Sequence, residues 1–279
     1  NQLYRLITDD DRSFVAKMYF HDDRKRRERE YPFLSLLFEQ GFTNIPRPVY
    51  QSVDLDVGVY TWVEGSRKDP RSYAQADMTD LADFIANIHR IPVSQGVALL
   101  PAQMAVFSMK NLRENIQKRI DTIKDDLSKE RFSPSVCSFL QENQSLDQVQ
   151  KALTRVEELY GPSVFTHVFP DEDIRISSVD FGPHNTLFET DGRAIYLDFE
   201  NAGRDYPLRT VVDVINHQKT EQISLELKKA FVQRYRDQAK LPQHVWEWFE
   251  PMRRLGLIEW HLLHLNHLSS TKLVQMKFA

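Results

Sequence analysis

The sequence predicts an α+β fold, with a small antiparallel sheet at the N-terminus and a larger, mainly helical part after it. Residues 3–7 and 14–20 alternate between apolar and polar side chains and flank an Asp-Asp-Asp turn, which indicates two paired strands. From Asp77 onwards the apolar residues follow helical spacing, as in Leu81, Phe84, Ile85 and Ile88. Together these patterns favour strands first and helices afterwards.

Composition limits the class of protein. The chain has 279 residues, 41% of them hydrophobic and 27% charged, and a formal net charge of −4. These values are typical of a globular protein and do not favour nucleic-acid or membrane partners. Cys137 is the only cysteine, which rules out an intrachain disulfide and a cysteine-based zinc site and favours a cytoplasmic location. Because the chain begins in a strand at Asn1, we expect either a natural start or further residues before it. Composition leaves the oligomeric state open.

A β-hairpin late in the chain carries the strongest chemical signal. Two apolar runs, Thr186–Phe188 and Ala194–Leu197, flank Asp191-Gly192, a favoured hairpin turn. Asp180 and Asn185 precede the first strand and Asp198 follows the second, so pairing of the strands brings these side chains together. Carboxylate and amide oxygens suit Mg²⁺ on a nucleotide, and a carboxylate can accept a hydroxyl proton. An ordinary polar hairpin beside a surface loop would have the same local pattern.

The spacing Asp-x-x-x-x-Asn, a hairpin and then Asp-Phe-Glu resembles the aminoglycoside phosphotransferase and choline kinase family. That family shows H-x-D-x-x-x-x-N followed by I-D-F/Y-E or I-D-F-G. The resemblance implies a two-lobed protein-kinase-like fold, with a nucleotide-binding lobe at 1–64 and a catalytic and substrate-binding lobe at 65–279. It also implies that Asp180 is the catalytic residue and that Asn185 and Asp198 bind Mg²⁺.

Two upstream residues fit the same order. Lys17 lies in an apolar strand, where it is either an outward-facing strand residue or the lysine that grips nucleotide phosphates. Glu28 and Glu30 follow in the helix predicted over 22–40, and similarity to the family's R-E-x-x-x-L motif favours Glu30 as the partner of Lys17. The basic run Arg24–Arg27 at the start of this helix is interpreted as a solvated helix face.

The strand predicted over Val57–Val63 ends in Glu64-Gly65, where this family joins its two lobes. The resemblance places the adenine edge of the nucleotide against backbone groups around Tyr60, Trp62 and Val63. A buried strand leaving a sheet would need the same residues, so both interpretations stay open here.

Four further residues receive supporting roles. Glu200, in the Asp-Phe-Glu motif, is expected to contact metal-bound water, and Asp213 to brace the catalytic loop. Asp205 is a weaker candidate for substrate contact. Ser178 stands where the family has a bracing histidine, and Val179 replaces a common glycine or asparagine. These departures affect the support of the loop and leave the proton- and metal-handling residues in place.

The implied activity is transfer of the γ-phosphoryl group of ATP, or another nucleoside triphosphate, to a hydroxyl of a small polar molecule, with Mg²⁺. The acceptor is open among a sugar, an amino alcohol, an aminoglycoside-like compound and a nucleoside. One alternative is a pseudokinase or nucleotide-sensing module that binds ATP without transfer. A protein kinase is a second alternative, but the sequence shows no A-P-E-like segment and no evident activation loop after Asp198.

Overall fold

The computed structural model describes residues 1–96 and 98–269. In chain order the strands and helices are β1 (Gln2–Ile7), β2 (Ser13–Met18), α1 (Arg26–Glu39), β3 (Pro48–Ser52), β4 (Val57–Thr61), α2 (Gln75–His89), α3 (Met109–Ser128), α4 (Pro134–Glu142), α5 (Ser145–Tyr160), β5 (Arg175–Ser177), β6 (Thr186–Phe188), β7 (Ala194–Tyr196), β8 (Gly203–Asp205), α6 (Leu208–Asn216), α7 (Leu225–Ala239), α8 (Gln243–Trp246) and α9 (Phe249–His267).

The N-terminal sheet is antiparallel throughout, with strand order β1-β2-β4-β3. Lys17 pairs with Leu3 on one side and Gly58 on the other, and Val15 pairs with Tyr60. Because side chains alternate along a strand, Lys17, Val15 and Tyr60 lie on the same face of the sheet. A side chain at Gly58 would collide with the Tyr60 ring, since a Cβ there would lie 2.5 Å from the tyrosine hydroxyl. Glycine at position 58 therefore leaves room for the Tyr60 ring, which lies over the backbone of residue 58 in the same strand.

Helix α1 follows this sheet and buries Phe33, Leu34 and Leu37, as its apolar stripe predicts. The helix begins at Arg26, four residues after the predicted start at residue 22. The reason lies in the backbone, because Lys25 adopts a left-handed conformation with φ 53° immediately before the first turn. Residues between β2 and this point therefore form an irregular connection.

The predicted hairpin is present as β6 and β7, with Leu187 opposite Ile195. Strands β5 and β8 form a second antiparallel pair, which brackets the loop between Ser177 and Thr186 on its N-terminal side. As the sequence predicts, the remainder of the chain is mainly helical.

A cluster of aromatic rings packs beneath the loops that follow β5 and β7. Phe181 stacks on Phe84 and on Phe199, at centroid distances of 5.4 Å in both cases, and Phe199 stacks on Phe33 at 5.3 Å. Tyr196 lies 4.2 Å from Phe84. Each aromatic pair contributes about 0.5–1.5 kcal/mol beyond its buried area. The cluster thus holds these two loops against α1 and α2.

The chain divides into two compact units. One contains residues 1–105 and 172–242, which include the N-terminal sheet, the β6–β7 hairpin and every site residue that the sequence predicts; helix α2 packs against α7 within it. The other contains residues 106–171 and the described residues from Gln243 on, where α3 and α5 pack against α9. The predicted lobe boundary after Glu64 stays a prediction. Among the described residues, no helix is both long and apolar enough to cross a bilayer.

Candidate active site

A cleft of about 450 Å³ lies against the Lys17 face of the sheet. Its lining brings together Lys17, Glu30, Asn185 and Asp198, which are far apart in the sequence. The rest of the lining contains apolar side chains and the chain segment that leaves β4: Leu3, Val15, Leu34, Leu187, Leu197 and residues 60–65. A partly apolar cleft with a few convergent polar groups is the usual form of a small-molecule site.

Lys17 is surrounded by carboxylates. Its Nζ lies 2.8 Å from Glu30 Oε2, 2.7 Å from Asp198 Oδ1 and 3.1 Å from Glu200 Oε2. The lysine side chain is only 9% exposed. Burial alone would lower the pKa of Lys17, but the negative charges of Glu30, Asp198 and Glu200 raise it above its usual value. The amine is therefore a charged ammonium at neutral pH.

Glu30 lies at the centre of a network of donors. Besides Lys17 on β2, the Tyr19 hydroxyl donates to Oε2 at 2.7 Å and the backbone N–H of Phe199 donates to Oε1 at 3.1 Å. The Tyr19 and Tyr60 hydroxyls are 2.7 Å apart, which extends the network to β4. Burial raises the pKa of Glu30, and the charge of Lys17 opposes that rise. Glu30 thus joins α1 to the lysine and to the backbone of the Asp-Phe-Glu loop.

The neighbouring charges of α1 behave differently from one another. Glu28, the other candidate partner of Lys17, is exposed and lies 3.9 Å from Lys25. The basic run is not wholly solvated as predicted. Arg26 is 10% exposed and approaches Glu200 Oε1 at 3.2 Å, and Arg27 is 8% exposed and pairs with Asp56 at 2.8 Å. Buried arginines need such partners, and the partners are distant in sequence.

The loop that carries Asp180 has an unusual backbone. Asp180 has φ 56° and Val179 has φ 27°, and Asp198 in the facing loop has φ 63°. The left-handed region is strained for a β-branched residue such as valine and is adopted more readily by glycine or asparagine. Non-glycine residues in this region are often found at functional sites.

The two loops are joined through Asn185. Its backbone carbonyl accepts from the N–H of Leu197 at 2.8 Å, and its side-chain Nδ2 donates to the carbonyl of Asp180 at 3.1 Å. Among the described residues no hydrogen bond reaches the amide Oδ1 of Asn185, so this oxygen can accept from a ligand or bind a cation. Asp198 lines the same cleft, and its side chain is 45% exposed. An amide oxygen and an accessible carboxylate are a donor set that fits Mg²⁺.

Within the described part of the chain, three side chains lie close to the carboxylate of Asp180. Asn201 Nδ2 donates to Oδ2 at 2.9 Å, while His184 Nε2 lies 3.6 Å and His217 Nε2 lies 4.0 Å from Oδ1. Burial would raise the pKa of Asp180, but His184 and His217, together with the bond from Asn201, hold the pKa below its usual value. The carboxyl group is therefore ionised at neutral pH and directed by its donors.

The segment that leaves β4 offers backbone groups to the cleft. Within the described part of the chain, the backbone N–H of Val63 has no hydrogen-bond partner, whereas that of Trp62 donates to Ser13. The Trp62 indole donates to Glu64 at 2.8 Å, and Arg5 stacks over the Trp62 ring at 4.5 Å. The Tyr60 side chain is buried in the Glu30 network, and its backbone lies in β4 between Val15 of β2 and Pro48 of β3.

The sequence profile of the phosphotransferase enzyme family matches residues 1–248. The chain belongs to this family. No curated protein sequence matches it at a significant level.

Solved structures of family-like enzymes share the fold. A spectinomycin phosphotransferase in complex with ADP and spectinomycin is 14% identical, with a TM-score of 0.64 over 99% of this chain and 82% of that one. A choline kinase from Streptococcus pneumoniae is 17% identical, with a TM-score of 0.60 over 95% and 81%. A macrolide 2′-phosphotransferase from Brachybacterium faecium is 12% identical, with a TM-score of 0.63 over 95% and 81%. The predicted kinase-like α+β fold is confirmed.

The supporting residues differ in their surroundings. Asp205 is completely buried in β8, so the expected contact with substrate is not retained. Asp213 is buried beside Arg209 at 3.2 Å, and its bracing role stays a prediction. Glu200 faces two cations, Lys17 at Oε2 and Arg26 at Oε1, and Oε2 also accepts a hydrogen bond from the side-chain amide of Asn1. Its expected contact with metal-bound water also stays a prediction.

Sequence reasoning missed the side chains around Asp180 and Glu30. His184 lies inside the Asp-x-x-x-x-Asn motif and could have been noticed there. Tyr19 lies two residues after Lys17 and directly follows β2, so its position on the same side as Lys17 was also readable from strand alternation. His217 and Asn201 carry no local signal, because only the tertiary fold brings them to Asp180.

Proposed function

We propose that the chain transfers the γ-phosphoryl group of ATP, or another nucleoside triphosphate, to a hydroxyl of a small polar molecule. The observation that carries this proposal is the convergence of the Lys17–Glu30 pair with Asn185 and Asp198 in one cleft. Membership of a phosphotransferase family supports the reaction class. The fit of the nucleotide and of its metal is inferred from the donor groups described above.

Lys17 would bind the α- and β-phosphates, with Glu30 fixing the ammonium in place. The free N–H of Val63 would donate to the adenine edge, between the apolar side chains of Val15 and Leu187. Asn185 and Asp198 would hold Mg²⁺, which supplies charge neutralisation at the phosphate oxygens when bound.

Asp180 would act on the acceptor. Its carboxylate would accept a hydrogen bond from the acceptor hydroxyl, orient the oxygen towards the γ-phosphorus and take the proton as the new P–O bond forms. The bond that breaks joins the γ-phosphorus to the β–γ bridging oxygen, so ADP leaves with that electron pair. Because its pKa is held low, Asp180 contributes mainly by positioning and accepts the proton late.

The acceptor class is proposed from chemistry shared by the structural relatives. The names of those enzymes contain spectinomycin, choline and macrolide, and each of these compounds is a small molecule with a hydroxyl group. For this chain we propose a sugar, an amino alcohol or an aminoglycoside-like compound.

The test is incubation with Mg²⁺, ATP and a pooled library of hydroxyl-bearing metabolites, with mass detection of phosphoryl adducts. Asp180→Asn is the inactive comparison, and Asp54→Asn, in the exposed turn between β3 and β4, is the matched control. We expect an adduct with the wild type and Asp54→Asn and a far lower yield with Asp180→Asn. Nucleotide binding without any adduct would favour the sensing module, and full turnover by Asp180→Asn would refute the assigned role.

A further inference from the structure

Ser178 makes no visible contribution to holding Asp180. The residue is completely buried, and its hydroxyl has no hydrogen-bond partner among residues 1–96 and 98–269. The loop behind it is anchored one residue earlier, where the Ser177 hydroxyl lies 2.6 Å from that of Thr210 and 3.4 Å from His89 Nε2. The side chain at position 178 therefore does not direct the Asp180 carboxylate.

Other side chains direct it, and they come from three places. His184 follows four residues later in the same loop, Asn201 lies in the turn after the Asp-Phe-Glu motif, and His217 lies at the end of α6. Asn201 donates a hydrogen bond to Oδ2, and the Nε2 atoms of the two histidines face Oδ1 at 3.6 and 4.0 Å, which are ion-pair distances. The histidine rings stack with centroids 4.0 Å apart and planes within 9°, so each ring limits the rotation of the other.

Asp180 and the two histidines, His184 and His217, also form a group with metal-ligand spacing. The protonation of His217 argues against a metal. Its Nδ1 accepts a hydrogen bond from the backbone N–H of Lys219 at 2.9 Å, so the ring proton must be on Nε2. That nitrogen faces Asp180 and is consequently a donor without a free lone pair.

We infer that His184, His217 and Asn201 together form a brace that fixes the Asp180 carboxylate. The family resemblance gives this role to a histidine at position 178, where this chain has serine. This inference rests on the proposed function, in which Asp180 orients the acceptor hydroxyl. The three residues are positioning residues, since they act through Asp180.

The test uses His217→Leu, which removes the donor, and His217→Gln, which keeps an N–H donor close to the Nε2 position. His21→Leu is the matched control, because His21 is 98% exposed. Each variant is made with Asp180 and with Asp180→Asn. We expect His217→Leu to lower kcat about 10- to 100-fold, with the KM for ATP and the KM for the acceptor nearly unchanged. His217→Gln should recover part of the lost kcat. In the Asp180→Asn background, His217→Leu should cause no further loss.

Results of the opposite kind overturn the inference. An equal loss in both backgrounds would mean that His217 acts independently of Asp180, and a change confined to KM would place it at substrate binding. If His217→Leu does not fold, Asn201→Ala is measured in the same cycle with the same expectation.

A melting experiment separates this inference from the proposed function. In the cycle formed by the wild type, Asp180→Asn, His217→Leu and the double variant, the thermal midpoint shifts should be clearly non-additive if the side chains interact. Additive shifts would overturn the brace, even in an active enzyme. Absence of transfer by the wild type refutes the proposed function alone, and the cycle then decides the brace. A midpoint raised by Zn²⁺ and dependent on His217 would replace the brace with a metal site.

Discussion

Substitution of Glu30 by glutamine should lower both the stability of the fold and the proposed activity. Glu30 is 4% exposed and is the point at which Lys17, Tyr19 and the Phe199 N–H meet. Glutamine has nearly the same shape and can still accept from Phe199, so the main change is loss of the negative charge. The charge lies 2.8 Å from the ammonium of Lys17.

The size of the effect follows from opposing contributions. At an effective dielectric constant of 20, unit charges at that distance attract by about 6 kcal/mol. Removal of the charge also abolishes the desolvation cost of a buried carboxylate, which is several kcal/mol, and its repulsion with Asp198. Lys17 in addition keeps Asp198 at 2.7 Å and Glu200 at 3.1 Å. We therefore expect the free energy of unfolding to fall by about 1–3 kcal/mol.

The effect on activity should be larger than the effect on stability. Without Glu30, the ammonium of Lys17 keeps Asp198 and Glu200 as carboxylate partners among the described residues and is drawn towards them. A displacement of this kind should reduce kcat/KM for ATP about 100-fold. Urea unfolding and initial-rate kinetics measure the two effects, with Glu28→Gln on the exposed face of α1 as the control. Wild-type kinetics in Glu30→Gln, or equal losses in Glu28→Gln, would refute the reasoning.

Two further predictions concern stability. His89 is buried against Tyr235, and burial together with the positive charge of Arg175 lowers the pKa of His89 to about 3 from 6.5. The unfolded chain therefore binds a proton that the folded chain does not between pH 6.5 and 3, so this contribution to stability is lost as the pH falls through that window. At about 1.4 kcal/mol per pH unit, urea unfolding should give a free energy about 2 kcal/mol lower at pH 5.0 than at pH 7.5, and His89→Gln should reduce the difference; an unchanged difference in that variant would contradict the assignment. Phe199→Ala should lower the free energy of unfolding by about 3–5 kcal/mol, because Phe199 is fully buried between Phe33 and Phe181. A loss below about 1 kcal/mol, measured in the same assay, would show that the aromatic cluster does not support the loops.

The fold and the order of the site residues were accessible from the sequence because their signals are local. Strand alternation located Lys17, helical spacing located the helix with Glu30, and the Asp-Gly turn fixed the hairpin that brings Asn185 towards Asp198. Each signal depends on residues within about twenty positions of one another. Their order along the chain then matched one family pattern.

The remainder depends on distant contacts. Composition describes Arg24–Arg27 as a charged run, but only the fold shows that Arg26 and Arg27 turn inwards to Glu200 and Asp56. Burial of Asp205 depends on its pairing in β8, which the sequence does not display. In the same way, Ser178 looked like the loss of a brace, whereas the structure places other donors around Asp180.

The division of labour within the cleft is tested most directly by equilibrium binding of Mg²⁺–ATP to the wild type, Lys17→Met and Asp180→Asn. Lys17 contacts the nucleotide in this account, whereas Asp180 contacts only the acceptor. Calorimetry should therefore give similar affinities for the wild type and Asp180→Asn and an affinity at least about 10-fold weaker for Lys17→Met. Equal binding by Lys17→Met and the wild type, or a comparable loss in Asp180→Asn, would contradict the account.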